Sequence, residues 1–147
     1  MKKPHNHFSI KFPSRSANES FARSAAAAFI AQLDPTLDEI GDIKTAVSEA
    51  VTNCIVHAYR DKIGLIHMTV KIFLPDIVEI VVKDTGAGIA DVKKAREPLF
   101  TTGGNERSGM GFTIMEGFMD KLAVRSAVGR GTTVKMRKRI ESRSKDE

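Results

Sequence analysis

The chain has 147 residues, with 23 Lys and Arg against 18 Asp and Glu, for a net charge of +5. A hydrophobic share of 41% and a charged share of 28% describe one ordinary globular domain, large enough to bury a core. No apolar run is long enough to span a membrane, and the lysines at the start have no apolar stretch behind them, so neither a transmembrane segment nor a signal peptide is expected. With a single cysteine, Cys54, no internal disulfide is possible, and a reducing cytoplasm fits. Much of the positive charge lies in the tail "KMRKRIESRSKDE" from Lys135. That tail has no aromatic residue to stack on bases, so direct nucleic-acid binding is not favoured, and the field suits steering an acidic protein partner.

Along the chain, "HFSIKF" (7–12) alternates apolar and polar residues as a strand with one wet face. "SANE" has the capping-box pattern, Ser16 with Glu19, and predicts a helix to about Leu33 with Phe21, Ala25, Ala28 and Phe29 on its core face. "DPT" (34–36) breaks the chain, and either Asp34 or Thr36 caps a second helix over about 37–59. "LIHMTVKIFL" (65–74) and "IVEIVVK" (77–83) read as an antiparallel hairpin. A turn or two of helix is expected around Asp91 to Arg96, followed by a small, polar, glycine-rich segment, "TTGGNERSGMG" (101–111). "GFTIMEGFMDKL" (111–122) spaces Phe112, Met115, Phe118, Met119 and Leu122 as the core stripe of a helix. "LAVRSAV" and "TTVKMRK" flank "GRG" (129–131) as a second hairpin. This order predicts an α+β fold, with helices on one face of a mixed, mostly antiparallel sheet. One domain is expected over residues 1–140, with a disordered tail over 141–147.

Three features carry chemistry. In "SEAVTNCIVHAY" (48–59), Glu49, Asn53 and His57 recur every four residues and share one stripe of a helix otherwise built for a core. A carboxylate and an amide oxygen are hard ligands that Mg²⁺ accepts, and Mg²⁺ takes few protein ligands beside phosphates and water. In "DTGAG" (84–88), Asp84 ends a buried strand where its carboxylate accepts a hydrogen bond from an exocyclic amine, and the glycines allow close approach of backbone to a ligand. In "SGMGF" (108–112), glycines expose backbone N–H groups where the helix dipole favours an anion such as phosphate. "GTT" (131–133) adds a hydroxyl on a strand entering the same sheet.

In this order and spacing the three motifs resemble the GHKL superfamily of ATPases and kinases, across nearly the whole chain. "NESFAR" (18–23), "SEAVTN" (48–53), "EPLFTT" (97–102) and "ERSGMGFTIMEGFMD" (106–120) look like the anti-sigma F family of endospore-forming bacteria, which are serine protein kinases. The resemblance implies a two-layer α/β sandwich that binds ATP and Mg²⁺. It implies that Asn53 holds Mg²⁺, that Glu49 is the general base, and that Asp84 holds the adenine amine against a wall shaped by Gly86 and Gly88. Thr132 would support the adenine contact, Gly109, Met110 and Gly111 would form the phosphate loop, and residues 90–108 an ATP lid, with Thr102 and Arg107 touching phosphate. The implied partners are a sporulation sigma factor, for which Arg23 is a candidate contact, and an anti-anti-sigma factor that is both substrate and competitor. A homodimer is implied as well. His57 reads as a pocket-wall residue rather than a catalytic one.

Other readings of the same residues are a general-stress anti-sigma kinase, the ATP-binding domain of a sensor histidine kinase, and a nucleotide-dependent switch without catalysis. A phosphoacceptor histidine on an upstream helix pair would mark the sensor kinase, and 147 residues leave no room for one. Glu49 argues against the switch, since binding alone needs no base.

Overall fold

The structure, a computed structural model, describes residues 3–97 and 106–141. The expectations for Thr102, for most of the glycine-rich segment and for the tail beyond residue 141 lie outside the described residues.

Five strands form one sheet in the order β1-β2-β3-β5-β4: β1 (Asn6–Pro13), β2 (Leu65–Phe73), β3 (Ile77–Asp84), β4 (Lys121–Ala127) and β5 (Gly131–Arg139). Every pairing is antiparallel, where a mixed sheet is expected from the sequence. The period-two alternation of β2 fixes its register. Ile66, Met68, Val70 and Ile72 are fully buried, and the residues between them lie on the opposite face. On that open face Ser9 and Thr69 pair directly across β1 and β2, their hydroxyls 2.9 Å apart. Glu79 of β3 is buried there and accepts a hydrogen bond from Arg137 of β5 at 2.8 Å.

The covered face carries the helices. α1 (Ala17–Ile30) buries Ala22, Ala26 and Ile30, one residue round from the face expected. Phe21 is 52% exposed, and it meets Phe12 only edge-on, with ring centroids 6.4 Å apart. Small alanines let α1 approach its neighbours closely, and the bulkier rings are left at its flanks. The Ser16 capping box does not form: Ser16 has helical backbone and no side-chain cap bond. Its counterpart at α2 (Leu37–Asn53) does form, with the Thr36 hydroxyl accepting from the Glu39 amide and the Glu39 carboxylate accepting from the Thr36 amide. α2 buries Ile43, Ala46, Val47, Ala50 and Val51 and runs into a single wide π-helical turn, Cys54–Ala58. A short α3 (Val92–Ala95), capped by Asp91, precedes α4 (Glu106–Phe118).

α4 begins five residues earlier than its apolar stripe suggests, so the Gly109–Gly111 segment lies within the helix rather than opening it. A helix leaves only its first few N–H groups without intrahelical acceptors. The free donors therefore come from the turn preceding Met110 and Gly111, the turn that holds Arg107. The stripe itself is shorter than read. Phe112, Met115 and Met119 are buried, whereas Phe118 is exposed at the helix end and Leu122 belongs to β4.

Candidate functional site

A cavity of about 370 Å³ opens between the end of α2, the loop after β3, α3, the start of α4 and β5. That volume lies in the range of small-molecule sites. Its apolar walls are Ile89, Phe112 and Val134, with alanines at positions 50, 58, 87, 90 and 95, and its polar groups are Asn53, His57, Arg60, Asp84, Asp91 and Thr132. Two of the three sequence motifs thus meet in one place through Asn53 and Asp84. The third reaches it through Gly111, which abuts Asn53.

Asp84 is the most tightly held group. It is buried at the end of β3, and its Oδ1 accepts from the Gly86 amide at 2.9 Å and from the Thr132 amide at 3.2 Å. Thr132 therefore supports Asp84 through its backbone, while its hydroxyl is 2.8 Å from that of Ser126. Ser126 was not among the residues singled out from sequence, yet it organises this corner. Its hydroxyl donates to the Gly131 carbonyl at 3.0 Å and accepts from the Ile89 amide at 2.7 Å. Gly131 has φ +109° and its α-carbon faces the Asp84 carbonyl, where any side chain would collide. Gly88 has φ +76° and lies equally close to the Ala127 carbonyl. Both conformations belong to glycine. Gly86 packs on the carbonyl of Ala58 with no space for a β-carbon.

Three segments are joined here by main chain alone. The Ala87 amide donates to the Ala58 carbonyl at 3.1 Å, and the Ala87 carbonyl accepts from the Gly129 amide at 2.8 Å. Tyr59, buried just after the π-helical turn, fixes the same region to the sheet. Its hydroxyl donates to the Leu65 carbonyl and accepts from the Thr85 amide, each at 2.8 Å.

The helix presents to the cavity the later two residues of the Glu49 stripe together with the row beside it. Ala50, Asn53, Cys54, His57 and Ala58 line it, and Glu49, half-buried one turn before Asn53, does not. Cys54, buried in the core cluster, and Ala58, packed against it, are also wall residues. Burial and the neighbouring Asp84 push the Cys54 thiol well above its usual range, so it is a neutral S–H group, and Sγ lies 3.4 Å from Asp84 Oδ2. His57 is half-buried, and burial together with Arg60 lowers its pKa, which favours the neutral imidazole. Arg23, on α1, does not line this cavity and is bonded to Glu19 one turn earlier at 3.4 Å.

The fold has known relatives. Residues 12–138 match the family model of the histidine kinase-like ATPase domain. The chain is 60% identical to the anti-sigma F factor of Caldanaerobacter subterraneus, over 92% of this chain and 94% of that one. It is 55% identical to the anti-sigma F factor of Geobacillus kaustophilus, over 92% and 93%. Among solved structures, the RsbU and RsbW domains of a Mycobacterium tuberculosis protein superpose with a TM-score of 0.69 at 19% identity, covering 93% of this chain and 33% of that one. The mycobacterial sensor histidine kinase MprB superposes with a TM-score of 0.58 at 15% identity, covering 93% and 99%. These two share the fold. The chain belongs to the histidine kinase-like ATPase family, on the branch of the anti-sigma F factors.

Proposed function

We propose that this protein is an ATP- and Mg²⁺-dependent serine protein kinase that also sequesters a sporulation sigma factor. The observation that carries the reading is the pinned Asp84 carboxylate at one side of an apolar cavity of about 370 Å³, with the Asn53 amide at another. In this reading the cavity takes the adenine between Ile89, Phe112 and Val134, and Asp84 accepts the hydrogen bond of its exocyclic amine. The phosphates run toward Asn53 and the head of α4, the turn of Arg107 and Gly109.

The residues present suit Mg²⁺. Among the described residues no cluster of three or more acid, His or Cys side chains could cage a metal alone. A cation held by one amide oxygen plus phosphates and water is what Mg²⁺ prefers, and it would neutralise charge on the transferring phosphoryl group. Gly111 leaves the Asn53 carboxamide little room, with an added β-carbon falling 3.1 Å from Oδ1. Glu49, one turn away, is the candidate base that takes the proton of the attacking serine hydroxyl.

The relatives' names support a sigma factor as partner, and from the family resemblance we add Arg23 as a contact and an anti-anti-sigma factor whose serine receives the phosphoryl group. The family resemblance is also the basis on which we propose a homodimer. A general-stress sigma factor is the rival partner, and a purely nucleotide-dependent switch is the rival mechanism. Glu49→Gln separates kinase from switch. It keeps the side chain's shape but cannot accept a proton at neutral pH. A positioned base is worth about 10²–10⁴-fold in rate, so single-turnover phosphorylation at saturating ATP should fall at least about 10²-fold while ATP binding and sigma capture persist. Near-normal phosphorylation removes Glu49 as the base, and joint loss of both activities with poor folding makes it a structural residue.

A further inference from the structure

The carboxylate of Asp84 offers four acceptor positions, two on each oxygen. Oδ1 is fully used by the backbone amides of Gly86 and Thr132. Oδ2 receives the thiol of Cys54 at 3.4 Å, and Cys54 and Asp84 both line the cavity. Among the described residues one acceptor position remains without a partner, on Oδ2, beside the thiol. We propose that Cys54 is a positioning residue for base recognition: its S–H donates to Asp84 Oδ2 and leaves a single, directed acceptor for the exocyclic amine of the purine.

The chemistry favours this role over a reactive one. The sulfur is buried and directed at the carboxylate, where a thiol serves as a donor. With Oδ1 held by backbone, the carboxylate plane turns only if Oδ2 is loose, and the thiol is the one described side chain bonded to Oδ2. Cys54 is placed for this by the turn in which it sits. It opens the π-helical segment Cys54–Ala58, whose last carbonyl in turn anchors the loop carrying Gly86 and Ala87. The same turn therefore supplies a donor to the carboxylate and an acceptor to the loop behind it.

The proposal rests on Asp84 reading the purine amine, and the experiment keeps the two apart. Purine riboside triphosphate lacks that amine and keeps the rest of the adenine ring, with N1 still an acceptor, so the ratio of ATP to purine riboside triphosphate affinity reports the amine contact. Calorimetry on the full chain should show Cys54→Ala lowering this ratio by about 3–10-fold, the equivalent of one modest hydrogen bond. Cys54→Ser, which keeps a donor, should restore most of it. A wild-type preference for ATP that is unmoved in Cys54→Ala overturns the role of the thiol. An equal drop in Cys54→Ala and Cys54→Ser also overturns it, since that is loss of packing. A wild-type ratio near one removes the reading of Asp84 and the proposal with it. Should Cys54→Ala not fold, the wild type still decides. Cys54 is the only cysteine in the chain, so the infrared S–H stretch has one source. A band shifted to lower frequency supports the bond to Asp84, and a band at the unbonded thiol position overturns it.

Discussion

Gly111 of α4 stands against the Asn53 carboxamide of α2, and a β-carbon there would lie 3.1 Å from Oδ1 and 3.2 Å from Nδ2. Contacts that short force the neighbour to move by a few tenths of an ångström. Glycine is a poor helix former, worse than alanine by about 1 kcal/mol. Gly111→Ala should therefore raise helix propensity yet disturb the amide. We expect ATP affinity in Mg²⁺ to fall more than ATP affinity in EDTA, with thermal stability held or raised. Equal affinity to wild type in Mg²⁺, measured by calorimetry, would show that Asn53 tolerates the shift and is not a metal ligand of strict geometry.

Asp84→Asn tests the base pocket. The substitution places a donor where the purine amine needs an acceptor. Leaving a buried group unpaired costs about 1–3 kcal/mol, roughly 5- to 150-fold in affinity. ATP affinity should fall by that order in a protein that still unfolds cooperatively. Unchanged ATP affinity would mean that the base lies elsewhere.

Gly131→Ala should destabilise the free protein. The residue has φ +109° and faces the Asp84 carbonyl, so a methyl group meets both backbone strain and a collision. Strained backbone of this kind costs about 1–3 kcal/mol. Urea unfolding should show a lower midpoint with an unchanged slope. Gly117→Ala, exposed on α4 with nothing near its β-position, is the control and should be neutral or stabilising.

Acid should weaken the fold through His57. Burial and Arg60 lower its pKa in the folded state, so the unfolded chain takes up the proton first. The linkage relation then has stability falling as pH drops through the unfolded value of about 6.5 and continuing down to the lowered folded value, with no contribution above about pH 7.5. Urea midpoints at pH 7.5 and pH 5.5 should differ less in His57→Gln than in the wild type. An identical pH dependence in the two proteins would show that His57 is not the group responsible.

Much of this was legible in residue spacing, and the failures have physical causes. The strands could be read because one face of each is less exposed than the other and the side-chain period is two. α1 was misaligned because alanines give no hydrophobic contrast, and the two phenylalanines that looked like a core face instead sit at the flanks, Phe29 against Phe8 with centroids 4.7 Å apart. Asn53, Asp84 and Thr132 announced themselves as polar residues at element ends. The apolar half of the cavity did not, since Ile89, Phe112 and Val134 are the residue types of any core, and only the fold distinguishes a cavity wall from an interior. Ser126 was silent because a serine on an alternating strand looks like a solvent position. The Thr132 hydroxyl drew attention where the backbone amide does the holding.

The bonds between Ala58, Ala87 and Gly129 run from peptide group to peptide group. Specificity for side-chain type is therefore absent from that part of the wall. Arg130, exposed beside it, can be exchanged by mutation without unmaking it, whereas Ala87 lines the cavity and Gly88 and Gly131 have no room for a side chain. Two kinds of evolutionary freedom thus coexist within a few residues. Relatives are free to recolour the outside of this corner, in charge and in bulk, and so to acquire different neighbours, while the pocket inside keeps its shape.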